Sequence, residues 1–139
     1  RTLMRAVDLV NHGYPMEGLI VGFALLDHLT QDFIKQKMSH LSSPEKSTLL
    51  RQIESSRLST YLGPLLKTLT GESPLDDRTT NEMLKWLNTL RNKTLHENSG
   101  CSSEDARKAL DFILELLTYY QTRGAELTLP KSLNYWLYL

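Results

Sequence analysis

An all-α fold is predicted by three features of this sequence. Apolar residues recur at three- and four-residue spacings, and breaks containing Gly or Pro cut the chain into helix-length pieces. No run of alternating β-branched residues is long enough for a strand. The expected architecture is an antiparallel up-and-down bundle of four to five main helices, followed by an irregular apolar C-terminal tail. With 139 residues, 40% of them hydrophobic, residues 1–139 suit a single domain whose core needs neither disulfides nor a metal.

The elements follow from the punctuation. A short helix over about Leu3 to Asn11 should stop at Gly13, and a long one should open with Pro15 in its first turn and reach about Met38. Gly22, Leu26, Leu29 and Phe33 share one face of that second helix. Gly18-x-x-x-Gly22 is a small-residue pattern that lets a neighbouring helix approach closely. Ser43 as N-cap and Pro44 at the first helical position start a third helix, with a stripe of Leu49, Leu50 and Ile53. Leu58 to Leu69 is helical, broken or offset at Gly63-Pro64. Asp76 or Asp77 caps a fourth long helix carrying Met83, Leu84, Leu87 and Leu90, with Trp86 placed in the core. Ser102 or Ser103 caps the last, which runs to about Thr122. Its stripe is the cleanest: Ala106, Ala109, Leu110, Ile113, Leu117 and Tyr120. In the tail, Leu127, Leu129 and the cluster Tyr135 to Leu139 need cover, supplied by the same domain or by a second subunit or domain.

Composition excludes several classes of function. Sixteen basic and sixteen acidic residues balance, which argues against a broad platform for duplex DNA or RNA. The longest apolar stretch, Leu19 to Leu26, is too short to span a bilayer, so no membrane partner is expected. Cys101 stands alone, no Cys/His cluster has metal-ligand spacing, and no cofactor is expected. A lone thiol and no visible signal peptide suit the cytoplasm. The chain opens on Arg1 rather than Met, as expected for a sequence either trimmed at its start or cut from a longer protein. No Gly-rich phosphate loop, nucleophile elbow or metalloprotease helix occurs. His12, His28 and His40 suit helix ends or polar faces, and Asp27 and His28, being adjacent, should diverge on a helix.

One segment carries chemistry. Arg91-Asn92-Lys93-Thr94-Leu95-His96 closes the fourth helix just before a final apolar helix. It resembles the hallmark of the HEPN superfamily, an Arg followed after four to six residues by a His, often with Asn beside the Arg. Ala6-Val7-Asp8-Leu9, Gly13-Tyr14, Glu17-Gly18 and Leu25-Leu26-Asp27 also resemble the first helical hairpin of that family. The residue types suit metal-independent cleavage of single-stranded RNA. Arginine's planar charged fork matches phosphate oxygens, and histidine exchanges protons near neutral pH. His96 would act on the ribose 2′-OH or the leaving 5′-oxygen, Arg91 would stabilise charge at phosphorus, and Asn92 would orient the phosphate or the imidazole.

The resemblance implies products with a 2′,3′-cyclic phosphate and a 5′-OH. It further implies a homodimer with two motifs meeting across the two-fold, and a role as toxin, defence or RNA-processing effector with an antitoxin or fused domain as partner. In related toxins a Tyr two residues after the His is modified by nucleotide transfer. Asn98 stands there, so that regulation is not expected. Glu97 beside His96 suits a raised pKa but would also repel phosphate. On an unbroken helix, five positions leave Arg91 and His96 roughly 140° apart, so either the helix ends near Thr94 or a second copy completes the site. Both residues are expected outside the apolar stripe, where Arg91 complements the helix dipole and His96 caps the end as the plainest structural roles. The alternative function is a non-catalytic HEPN-like dimerisation or protein-interaction module, or a nucleotide-binding domain using Arg91.

Overall fold

A computed structural model describes residues 2–55, 58–96 and 100–133, and all regular structure among them is helical. Helix α1 (Thr2–Asn11) and helix α2 (Pro15–Lys37) form a hairpin. Gly13 turns it at φ +87°, a left-handed conformation that favours glycine. Helix α3 spans Ser43–Ser55. Its cap is Ser42, not the expected Ser43. The Ser42 hydroxyl accepts from the Glu45 amide (3.4 Å) and the Glu45 carboxylate accepts from the Ser42 amide (3.2 Å). Only Ser42 has a glutamate three residues on to close this reciprocal box. Leu49 and Leu50 pack partly buried against the core, while the side chain of Ile53 lies outside the described residues.

The expected offset at Gly63-Pro64 is a π-helical turn, Tyr61–Leu65, between helix α4 (Leu58–Thr60) and helix α5 (Leu66–Thr70). Pro64 lacks the N–H that a regular α-helix would use, and the widened turn accommodates it. A 3₁₀ turn, Pro74–Asp76, leads into helix α6 (Arg78–His96), where the Asp77 carboxylate accepts from the Thr80 amide at 2.9 Å. Helix α7 (Ser103–Gln121) is capped by Ser102, whose hydroxyl accepts from the Asp105 amide at 3.0 Å.

The predicted α7 stripe is the centre of the core. Ala106, Ala109, Leu110, Ile113, Leu117 and Tyr120 are fully buried. Across from it, Gly22, Leu26 and Phe33 of α2 are buried and Leu29 partly so. The two glycines serve two neighbours. A Cβ at Gly18 would stand 2.7 Å from the Ala6 carbonyl oxygen of α1, and one at Gly22 would stand 2.7 Å from a Leu110 methyl of α7. The Tyr120 ring stacks on Phe33, with centroids 4.6 Å apart, and its hydroxyl shares a 2.7 Å hydrogen bond with Thr30.

These contacts also set direction. Along α2, Gly22 meets Leu110 and Ile113, Thr30 meets Tyr120, and the Lys37 ammonium donates to the Arg123 carbonyl at 2.7 Å. Residue numbers rise together, so α2 and α7 run parallel. Neighbours run antiparallel where α1 turns into α2 at Gly13, and in α6 with α7, where Lys108 lies over the Trp86 ring at 4.3 Å and Thr80 shares a cavity with Glu115. Trp86 is partly buried at the edge of the core rather than inside it.

The tail packs on its own domain as far as it is described. Leu127 and Leu129 are partly buried, Leu133 is fully buried, and the Gln121 amide donates to the Leu127 carbonyl at 2.7 Å. The aromatic cluster Tyr135 to Leu139 lies outside the described residues.

Candidate functional site

Helical register divides the motif between two faces of α6. Leu84, Leu87, Arg91 and Thr94 recur at spacings of three and four, and Leu84, Leu87 and Thr94 are buried. Arg91 therefore continues the core-facing stripe. This corrects the expectation that it lies outside that stripe. Asn92 and His96, four apart, share the exposed face. The helix does not end near Thr94 but runs unbroken to His96, which leaves Arg91 and His96 diverging within one chain. Over five residues they also separate by about 7.5 Å along the axis.

A charge on a core-facing stripe needs a partner, and α2 supplies it. The Arg91 guanidinium donates through both terminal nitrogens to the Asp27 carboxylate, Nη2 to Oδ2 at 2.9 Å and Nη1 to Oδ1 at 3.4 Å. Its central carbon sits 5.2 Å from the centroid of Phe23, one turn earlier on α2. About a third of each charged side chain reaches solvent, 34% for Arg91 and 28% for Asp27. The pair is thus a half-open fork at the α2–α6 seam, with donors to spare: five N–H groups less the two that Asp27 takes.

Lys93 and His96 occupy the last turn of α6, where positive charge opposes the negative end of the helix dipole. Arg91 lies more than a turn inside and is held by Asp27, so dipole complementation is not its role. An anion at this end meets the unfavourable pole of the helix, and the full charges of Arg91 and Lys93 must outweigh it. Glu97 and Asn98 lie outside the described residues.

The remaining histidines have ordinary roles. His12 donates from Nδ1 to the Asp8 carbonyl at 2.6 Å, His28 pairs with Asp32 at 3.3 Å, and His40 is exposed. Asp27 and His28 diverge as predicted, each to a different partner. Cys101 is a buried free thiol, and burial pushes its pKa up, which makes it a poor nucleophile. Among the described residues no cluster of His, Cys, Asp or Glu could hold a metal ion, and no helix is long and apolar enough to cross a membrane.

Sequence reasoning missed Asp27 and Phe23 as neighbours of the motif. A readable signal was present: an arginine in register with Leu84 and Leu87 must be neutralised by something across the helix interface. Which acid does so depends on how α2 and α6 slide against each other, and that is a tertiary property. A second polar cluster, at the opposite end of α6, was also not anticipated. Arg123 pairs with Glu72 and lies over the Tyr119 ring at 3.4 Å, and Lys67 binds Asp76 at 2.7 Å. Around them is a cavity of about 330 Å³ lined by Ser73, Asp77, Thr80 and Glu115 among others. Compared with known proteins, the chain matches no family model, no curated protein and no solved structure.

Proposed function

We propose that this chain is a metal-independent endoribonuclease with a HEPN-like up-and-down bundle, in which Arg91 of one copy and His96 of a second act on the same phosphodiester. The observation that carries the reading is the unbroken helix through His96. A general base and a phosphate-holding cation must lie within a few ångströms of one scissile group, and one continuous helix turns these two apart. A second copy supplies the missing member.

Two further features support an interface near the motif. Leu95 and Ile20 are exposed large apolar residues, 44% and 40% accessible. Leu95 follows Arg91 by one turn, and Ile20 precedes Asp27 by two, so both share the face on which the Asp27–Arg91 pair sits. In the proposed chemistry His96 takes the proton of the ribose 2′-OH, the 2′-oxygen attacks phosphorus to close a 2′,3′-cyclic phosphate, and the P–O5′ bond breaks as the leaving 5′-oxygen takes a proton from the imidazolium or from water. Arg91 stabilises the added charge on the phosphoryl oxygens, and Asn92, on the His96 face, orients the imidazole or the phosphate.

The test is complementation. The protein is incubated with single-stranded RNA in excess chelator, using Arg91→Ala and His96→Ala proteins separately and mixed under conditions that exchange subunits. Each alone is inactive. The mixture regains activity, because every heterodimer has one site with an intact Arg91 and an intact His96. Cleavage that needs Mg²⁺, or a mixture as inactive as its parts, removes the composite site.

The same apolar face favours a second reading, a non-catalytic HEPN-like module that dimerises or docks a partner through Ile20 and Leu95. A dimer that neither binds nor cuts RNA, and loses dimerisation on Leu95→Lys, establishes that reading instead.

A further inference from the structure

The ion pair that holds Arg91 has a consequence for the proposed reaction. Asp27 grips both terminal nitrogens of the guanidinium, at 2.9 and 3.4 Å, while the Phe23 ring lies 5.2 Å from its centre. The side chain is therefore held along one edge and against one face. An arginine has several flexible bonds, and a free one on a half-exposed helix would sample many positions of its charge. This one is held in one, and about a third of the side chain, 34%, still reaches solvent.

We infer that Asp27 is the positioning residue of the site: it orients the Arg91 guanidinium toward the transferring phosphate and weakens ground-state binding of the same phosphate by its negative charge. The inference rests on the reading of Arg91 as the phosphate-holding group. Asp27 touches neither substrate nor reacting atoms in this scheme and acts only through Arg91. Its two effects have opposite signs. The carboxylate repels the bound anion, which lowers affinity. It also locks the fork in place, so the interaction is spent on the charge that builds up at phosphorus rather than on the resting phosphodiester.

A residue needed only for packing would not produce that split. Asp27→Asn keeps the shape and removes the charge, which leaves Arg91 a weaker partner and a freer side chain. Asp27→Glu keeps the charge on a longer arm.

The experiment measures kcat and KM for a single-stranded RNA, together with the Kd for the same oligonucleotide carrying 2′-O-methyl groups, which cannot be cut. Circular dichroism checks that each variant is folded. For Asp27→Asn, kcat is expected to fall about a hundredfold, the scale of a misplaced catalytic contact. The Kd for the 2′-O-methyl strand is expected to tighten about two- to fivefold, what a solvent-screened charge interaction supplies. Asp27→Glu should restore part of kcat and return Kd toward the wild-type value. A folded Asp27→Asn protein with kcat and Kd unchanged overturns the inference, as does a loss of kcat accompanied by weaker binding. A wild-type protein that cuts no RNA overturns the ribonuclease reading itself and the inference with it.

Discussion

The two ends of α6 are built on opposite plans. At its N-terminal end, polar groups close on one another. Ser73 donates to the Leu62 carbonyl and accepts from the Leu75 amide, and Asp76 accepts from the Ser73 amide and from Lys67. Asp77 caps the helix, and Arg123 ties the end of α7 to Glu72. At the C-terminal end, Asn92, Lys93, Leu95 and His96 are exposed, and the described contact across helices is the half-open Asp27–Arg91 pair. Satisfied hydrogen bonds hold structure. Side chains left in water add little stability and remain able to react.

That contrast predicts where each substitution will be felt. On the ribonuclease proposal the largest effect is expected from His96→Ala, which should lower RNA cleavage at least about a hundredfold, the lower range for losing an acid–base group. Its Tm should match the wild type, because His96 is exposed at a helix end; a clear drop in the melting curve would show that this end is structural too. Arg91→Ala should lower both, since it leaves Asp27 unpartnered at the seam.

Ser73→Ala is the converse case. It removes a buried hydroxyl that serves the Leu62 carbonyl and caps the 3₁₀ turn, and should destabilise by about 1–3 kcal/mol in urea unfolding. Cleavage per folded molecule should not change. A smaller loss, about 1 kcal/mol, is expected for Arg123→Ala, because the guanidinium stacks on Tyr119 but its pair with Glu72 is partly exposed. Differential scanning calorimetry resolves a loss of this size.

The smallest effect is one of pH. The Lys67 ammonium, then the Ser73 amide, hold the Asp76 carboxyl below its ordinary 3.8, and the Thr80 amide and hydroxyl do the same for Asp77. A depressed folded pKa contributes stability that is present above the unfolded value and is lost as pH falls through the folded one. Urea midpoints should therefore drop below about pH 4, and the drop should shrink in an Asp76→Asn, Asp77→Asn double variant. An unchanged slope would mean that this end is not the acid-sensitive one.

How much of this was readable depends on the distance over which each signal acts. The α7 stripe, the Ser102 and Asp77 caps and the close approach at Gly18 and Gly22 are set within a few residues, and all emerge as the sequence predicts. The break at Gly63-Pro64 was legible as a break but not as a π turn, because Pro64 removes a hydrogen bond without dictating what replaces it. Pro44 at the first helical position points to Ser43 as the cap of α3, whereas Glu45, three residues on, marks Ser42 through the box. The motif residues were legible as types. Their division between a core-facing Arg91 and an outward Asn92 and His96 is contained in the register with Leu84 and Leu87. The pairing with Asp27, 64 residues away, and the parallel packing of α2 on α7 depend on how whole helices dock. No local pattern encodes that.

The parallel central pair also bears on the order of assembly. Thr30 and Tyr120, which share a buried hydrogen bond, stand 90 residues apart. The α1–α2 hairpin can close as soon as it is synthesised, but its wide apolar face must wait for the last long helix to emerge. Until then Leu26 and Phe33 have no α7 to cover them, and a nascent chain is vulnerable to aggregation for most of its translation. Long loop closure of this kind slows folding even in an all-helical protein, where local contacts usually make it fast. A chain cut short before α7 would lose the stripe that joins α1 and α2 to the rest, and so would be left without a core rather than with a smaller one.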